Sequence, residues 1–239
     1  MNKTIKTAQE AVKDVFDGAM IMTGGFGLCG IPENLIRALK DQGARNLTIV
    51  SNNAGTDKYG NGILLNNGQI KKFIMSYGGE NKLFEKMVLD KTLEVEWTPQ
   101  GTLAEKIRAG GAGIGGFYTP TGYGTSIAQG KETRQINGKW YVLEMPLIAD
   151  FAFVKAYRAD TFGNLVFRKT ARNFNAMMAT AAKTVIAEVE EIVEPGQIPP
   201  DTIHIPGIYV QRIIKGTLYE KPIERRTVTK KEAVSTGGR

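Results

Sequence analysis

Cysteine and histidine are nearly absent from this chain of 239 residues, which holds one of each, Cys29 and His204. One cysteine excludes an internal disulfide, and the single histidine excludes a Cys/His zinc cluster or a paired-histidine site. A carboxylate-only metal site stays open but unsupported, so no metal is expected. Long apolar runs are missing too. No stretch approaches the ~18 apolar residues of a membrane-spanning helix. Met1-Asn2-Lys3-Thr4 leads into a polar, charged segment instead of the apolar core of a secretion signal. The expected location is the cytoplasm, with no membrane partner.

What the chain does have is enough apolar content, 42%, for a substantial core. No repeat or long linker divides it, so residues 1–239 are expected to form a single domain. The net charge of +7 raises the question of nucleic acid, and its distribution answers it. Residues 215–239 hold seven Lys or Arg against three Glu, so the body is only mildly basic. We expect a basic tail from about 215, solvated or packed on a partner, and no nucleic acid.

Short apolar runs alternate with amphipathic segments over the first 120 residues, the pattern of βα units. The fold class is therefore α/β, a mostly parallel sheet with flanking helices. Ala19 to Met22 predicts a buried strand, and a helix opening at Pro32 would bury Leu35, Ile36 and Leu39 and end near Gly43. Strands follow at Leu47–Val50, Lys72–Ser76 and Leu93–Trp97, with helices at Asn81–Leu89 and Thr102–Ala109. Asn137-Gly138 between apolar stretches predicts a β-hairpin, a small insertion or meander. Strands at Phe151–Tyr157, Asn164–Arg168 and Thr184–Val189 and a helix at Phe174–Ala182 complete the pattern.

Between the first strand and helix lies Gly24-Gly25-Phe26-Gly27-Leu28-Cys29-Gly30, which satisfies G-x-G-x-x-G. A nicotinamide nucleotide would also need a carboxylate at the end of the second strand, where this chain has Ser51-Asn52-Asn53. What remains is a loop whose amides can approach an anionic or amide-rich ligand at a helix N-terminus, as coenzyme A is. The alternative is a tight crossover that merely needs glycine. A second cluster, Gly110-Gly111-Ala112-Gly113-Ile114-Gly115-Gly116, suggests another close backbone approach, and Gln100, just before a helix, either serves only as a helix-start residue or donates its amide to a carboxylate or thioester carbonyl, as oxyanion stabilisers do. Cys29 has no histidine near it in sequence and reads as a buried small residue; His204, among Ile203, Ile205 and Pro206, reads as structural.

The order of segments is more specific than any one of them. Gly24 to Pro32, Ser51-Asn52-Asn53-Ala54-Gly55, Pro99-Gln100-Gly101-Thr102, Arg108 to Gly113 and Phe167 to Asn175 together resemble the A subunit of 3-oxoacid coenzyme A transferases. The likeness runs from about Asp14 to Val210. It implies a CoA-transferase-like fold and a ping-pong reaction through a glutamyl-CoA thioester. The nucleophilic glutamate would stand on a partner B subunit, in a heterodimer or higher A/B oligomer. Coenzyme A would be a substrate, with no nicotinamide cofactor.

By the same resemblance Gly24, Gly25, Phe26, Gly27, Leu28, Cys29 and Gly30 would border the coenzyme A site, while Asn52, Asn53 and Gln100 would face the partner's glutamate. No catalytic nucleophile is assigned here. Glu80-Asn81-Lys82 alone approaches the family's Glu-Asn-Gly context, and it reads as a helix cap. The implied donor is succinyl-CoA and the acceptor a 3-oxo acid such as acetoacetate, with acetate or butyrate as alternative partners. A nicotinamide-dependent oxidoreductase and a noncatalytic acyl-CoA-binding module are the readings from other classes.

Overall fold

The computed structural model describes residues 2–223. Its first half is a run of strand-helix units: α1 (Ala8–Val12), β1 (Met20–Thr23), α2 (Glu33–Gln42), β2 (Leu47–Asn53), α3 (Gly62–Asn66), β3 (Ile70–Tyr77), α4 (Lys82–Leu89), β4 (Glu94–Trp97) and α5 (Gln100–Gly111). A meander follows with β5 (Phe117–Thr119), β6 (Thr133–Ile136) and β7 (Lys139–Glu144), and the chain returns through β8 (Ala149–Asp160), β9 (Leu165–Val166), α6 (Asn173–Met178), β10 (Ala182–Val193) and β11 (Arg212–Lys215).

Among the described residues, one sheet takes the order β11-β10-β8-β1-β2-β3-β4, all parallel, with β9 antiparallel on β8. Successive side chains on a strand point to opposite faces. Ile21, Ile49 and Phe73 therefore join the core under α1 to α4, while Met22, Val50 and Ile74 join the core under α5 and α6. Both faces are covered, which is why these strands are apolar runs. No helix among the described residues is long and apolar enough to cross a membrane.

The order reverses beside β1: β2, β3 and β4 extend one way, β8, β10 and β11 the other. Ligands of open parallel sheets bind at such a switch point, outside the carboxyl ends of the strands. The glycine loop leaves β1 there.

The local expectations for α2 and the hairpin hold. Leu35, Ile36 and Leu39 are buried, and Gly43 ends α2 at φ 88 with its N–H on Leu39 O. Asn137 (φ 49) and Gly138 (φ 78) form the turn between β6 and β7, and β5 completes a separate three-stranded antiparallel sheet. Asn81 caps α4 by accepting from Phe84 N at 2.9 Å.

Other expectations need correction. The second glycine cluster is not a loop from its start, because α5 runs on to Gly111. A Cβ at Gly110 would stand 1.9 Å from Leu147 O, and one at Gly111 2.2 Å from Thr180 Oγ1, so the close approach there is to the protein's own chain. The helix expected to reach Ala182 ends at Met178, since Ala182 already pairs with Ala149 in β10. The short α3 and β11 were not expected. Residues 224–239 of the expected basic tail lie outside the described residues, and its beginning is not simply solvated. Lys215 ends β11, and the Glu220 and Lys221 amides donate to the buried Glu33 carboxylate, both at 3.0 Å.

Candidate active site

Four strand ends deliver side chains to one place. β1 gives way to the glycine loop, β2 ends on Asn53, β3 ends on Tyr77, and the connection from β4 opens α5 at Gln100. Together they line a cleft of about 580 Å³ with Phe26, Gly27, Asn52, Asn53, Gln100 and Glu80 in its walls. Phe26 and Tyr77, 49% and 51% exposed, form an apolar rim.

Within the loop, Phe26 N donates to Cys29 O at 3.1 Å and Cys29 N to Phe26 O at 3.0 Å, closing a tight turn. Gly27 stands at its tip with φ 58, a conformation that favours glycine. Gly24 N donates to Phe153 O and Gly27 N to Asn52 Oδ1. These four amides are engaged within the protein. The N-terminus of α2 is engaged as well: the Asn34 and Leu35 amides donate to Glu188 Oε2 at 2.8 and 2.9 Å, and Asn34 Nδ2 donates to Glu188 Oε1 at 2.7 Å. The expectation that a ligand's anion would sit on that helix end is thus corrected. A carboxylate of the protein already occupies it.

The three polar candidates differ in what they can still offer. Asn52 is 3% exposed; its Oδ1 accepts from Gly27 and its Nδ2 donates to Ser76 Oγ at 3.1 Å, so it braces the turn against β3. Asn53 Oδ1 accepts from Gly55 N, but its Nδ2 has no partner among the described residues. The Gln100 carboxamide, exposed on the first residue of α5, has none there either. Asn53 and Gln100 therefore present the open donors.

The glycine loop itself is split. Phe26 and Gly27 face the 580 Å³ cleft, whereas Leu28, Cys29 and Gly30 line a second cavity of about 220 Å³ with Lys155, Arg168 and Glu190. Gly24 and Gly25 line neither and are buried behind. Cys29 is not buried as expected; it is partly exposed, with Sγ 3.3 Å from Thr170 Oγ1. His204 is structural: its Nδ1 accepts from Phe167 N at 2.9 Å, its ring stacks on Phe167, and burial holds its pKa below the ordinary value.

The coenzyme A transferase family model matches residues 5–216. The chain belongs to that family. Among its relatives, a Bacillus subtilis protein described as the probable A subunit of a succinyl-CoA:3-ketoacid coenzyme A transferase is 60% identical over 95% of this chain and 96% of its own length. A mitochondrial human succinyl-CoA:3-ketoacid coenzyme A transferase is 51% identical over 95% of this chain, which spans only 48% of that protein. In fold, the transferase superposes on an Escherichia coli O157:H7 acyl-CoA transferase with a TM-score of 0.82 at 24% identity, over 93% of this chain and 49% of the other.

Sequence reasoning missed three residues that shape this site: Glu188, Ser76 and Asn175. Glu188 meets its partners across more than 150 residues, and nothing local marks it as a cap. Asn175 falls inside a segment that carries the family resemblance, yet its neighbours in sequence give it no role.

Proposed function

We propose that this transferase is the A component of a succinyl-CoA:3-oxoacid CoA transferase, working with a B subunit that carries the nucleophilic glutamate. The observation that carries the proposal is the cleft at the switch point. It gathers the glycine turn and two open carboxamide donors, one at the end of β2 and one at the start of α5, and it is open toward solvent where a second subunit can complete it. The 60% identity to the Bacillus subtilis relative supports the choice of substrates. The human relative's length supports the need for a second half.

In this reading the partner's carboxylate attacks the acyl-CoA carbonyl and expels the CoA thiolate, leaving a mixed anhydride. The thiolate then attacks the glutamyl carbonyl, releasing succinate and leaving glutamyl-CoA. The acceptor carboxylate reverses these steps and leaves as its CoA ester. Each addition places negative charge on a carbonyl oxygen, and in this reading Gln100 and Asn53, which line the cleft, donate to it. Removing one such donor costs roughly 10²–10³ in kcat in comparable sites.

A nicotinamide nucleotide fits less well, because Glu188 holds the helix amides that its pyrophosphate would take. The test is CoA transfer from succinyl-CoA to acetoacetate, followed through the enolate absorbance of the product. It compares this chain alone with the chain co-expressed with its partner. Activity is expected only from the pair; activity from the chain alone would place the nucleophile here, and an inactive pair would point to another acyl couple.

A further inference from the structure

We propose that Asn175, assisted by Asn173, is a positioning residue for CoA transfer that holds the glycine turn in place from behind. The proposal rests on the reading of that turn as a wall of the coenzyme A site. Its starting point is the end of β1. Gly24 N still donates to Phe153 O at 2.9 Å, so the next rung of the parallel ladder would bring Lys155 N to the Gly24 carbonyl. Instead, Lys155 N donates to Asn175 Oδ1 at 2.8 Å. A side-chain amide thus stands in for the strand, and the main chain from Gly24 is released to turn toward the cleft.

The same carboxamide holds the other end of the loop. Asn175 Nδ2 donates to Gly30 O at 2.8 Å and to Ala171 O at 2.9 Å. Asn173 adds a second tether, with Nδ2 donating to Cys29 O at 3.0 Å and Oδ1 accepting from Asn175 Nδ2 at 3.2 Å. Asn175 is fully buried, and both ends of its amide are engaged. The site demands an acceptor and a two-proton donor on one short side chain. Asparagine supplies both; aspartate would set a second acceptor against the Gly30 and Ala171 carbonyls.

Sterics support the same assignment. A Cβ on Gly24 would lie 1.8 Å from Asn175 Oδ1, and one on Gly30 would lie 3.1 Å from Asn175 Nδ2 and 3.0 Å from Ala171 Cα. These two glycines make room for the clamp, whereas Phe26 and Gly27 alone of the loop reach the main cleft. With Gly24 and Gly30 fixed, the turn between them has little freedom. A shift of about 1 Å in a positioning element costs on the order of 10² in rate.

The experiment uses the assembled A/B pair and measures kcat, KM for each substrate, and the melting temperature. Asn175→Asp is expected to lower kcat about 10²-fold. Asn173→Ala, at a partly exposed position, is expected to lower kcat about tenfold while the melting temperature and the KM of the acceptor acid stay near wild type. Gly24→Ala should lose activity on its own, yet cost little more when added to Asn175→Ala, because the atom it strikes is gone. Should the Asn175 variants fail to fold, Asn173→Ala decides alone. A kcat within twofold of wild type in Asn173→Ala overturns the clamp. Gly27→Val separates the two ideas: if it impairs CoA use while Asn173→Ala does not, only the clamp fails; if it too is harmless, the reading of the turn fails with it.

Discussion

At the residue scale, the glycine loop has two sides that differ in chemistry, and substitution should tell them apart. Gly27 forms the tip of the turn at φ 58 and faces the main cleft. Valine there adds a branched side chain to the cleft and about 1–2 kcal/mol of left-handed strain. Gly27→Val should therefore lower kcat/KM for succinyl-CoA by two orders of magnitude or more, on the order of the 10²-fold cost of an ångström of misplacement. Cys29 points the other way, toward Thr170 and the smaller cavity. Cys29→Ser keeps a small hydrogen-bonding group beside Thr170 Oγ1 and should retain most activity. Steady-state kinetics on the two variants, each paired with the partner, checks both statements; the opposite ranking would put the reactive side of the loop on the smaller cavity. The sequence singled this loop out as a candidate, but the two-sidedness was not legible in it, because which side each residue faces depends on Asn52 from β2 and Asn175 from α6.

At the element scale, α2 shows how far local patterning carries. Its apolar spacing and its Gly43 end were legible, since both depend on neighbours in sequence. Its start was not, because the group that satisfies the Asn34 and Leu35 amides is Glu188 on β10. The same limit hid the length of β8 and β10, twelve residues each, the first including Lys155 and Arg158 and the second Glu188 and Glu190. Such charges interrupt the apolar run that marks a buried strand; here Lys155 pairs with Glu190 and Arg158 with Glu191 at 2.8 Å, while Glu188 accepts from Asn34 and Leu35. Burial pushes the Glu188 carboxyl up from 4.5 to about 7, against the bonds from Asn34 and Leu35 that favour its charge. The folded protein therefore holds this proton more tightly than the unfolded chain. This group's contribution is fully present below about pH 4.5 and declines as pH rises through about 7. Glu188→Gln removes the titration and keeps the shape. Relative to wild type, its unfolding free energy should rise with pH across that window by roughly 3 kcal/mol. Denaturant melts at pH 4.5 and 7.5 measure the difference, and parallel profiles for the two proteins would remove Glu188 as its source.

At the scale of the whole molecule, the parallel α/β class was legible because βα alternation repeats along the first half. The assembly of the cleft was not, since it follows from strand order. The sheet places β8 beside β1 although 125 residues lie between Thr23 and Ala149, and that pairing creates the switch point from which the glycine turn projects. Among the described residues that line the cleft, one is acidic, Glu80, held at φ 72 just before the cap of α4. This gives the proposed division of labour a direct test within the described residues. If the nucleophile belongs to the partner, incubating the pair with succinyl-CoA and no acceptor should leave a CoA thioester on the partner chain. Mass spectrometry of the separated chains should find this one at its unmodified mass, and borohydride reduction should convert a glutamate of the partner alone. Coenzyme A attached to the peptide containing Glu80 would move the nucleophile into this chain. Gln100 and Asn53 would then stabilise an oxyanion formed on their own polypeptide, and this chain in isolation would be expected to complete the first half-reaction unaided.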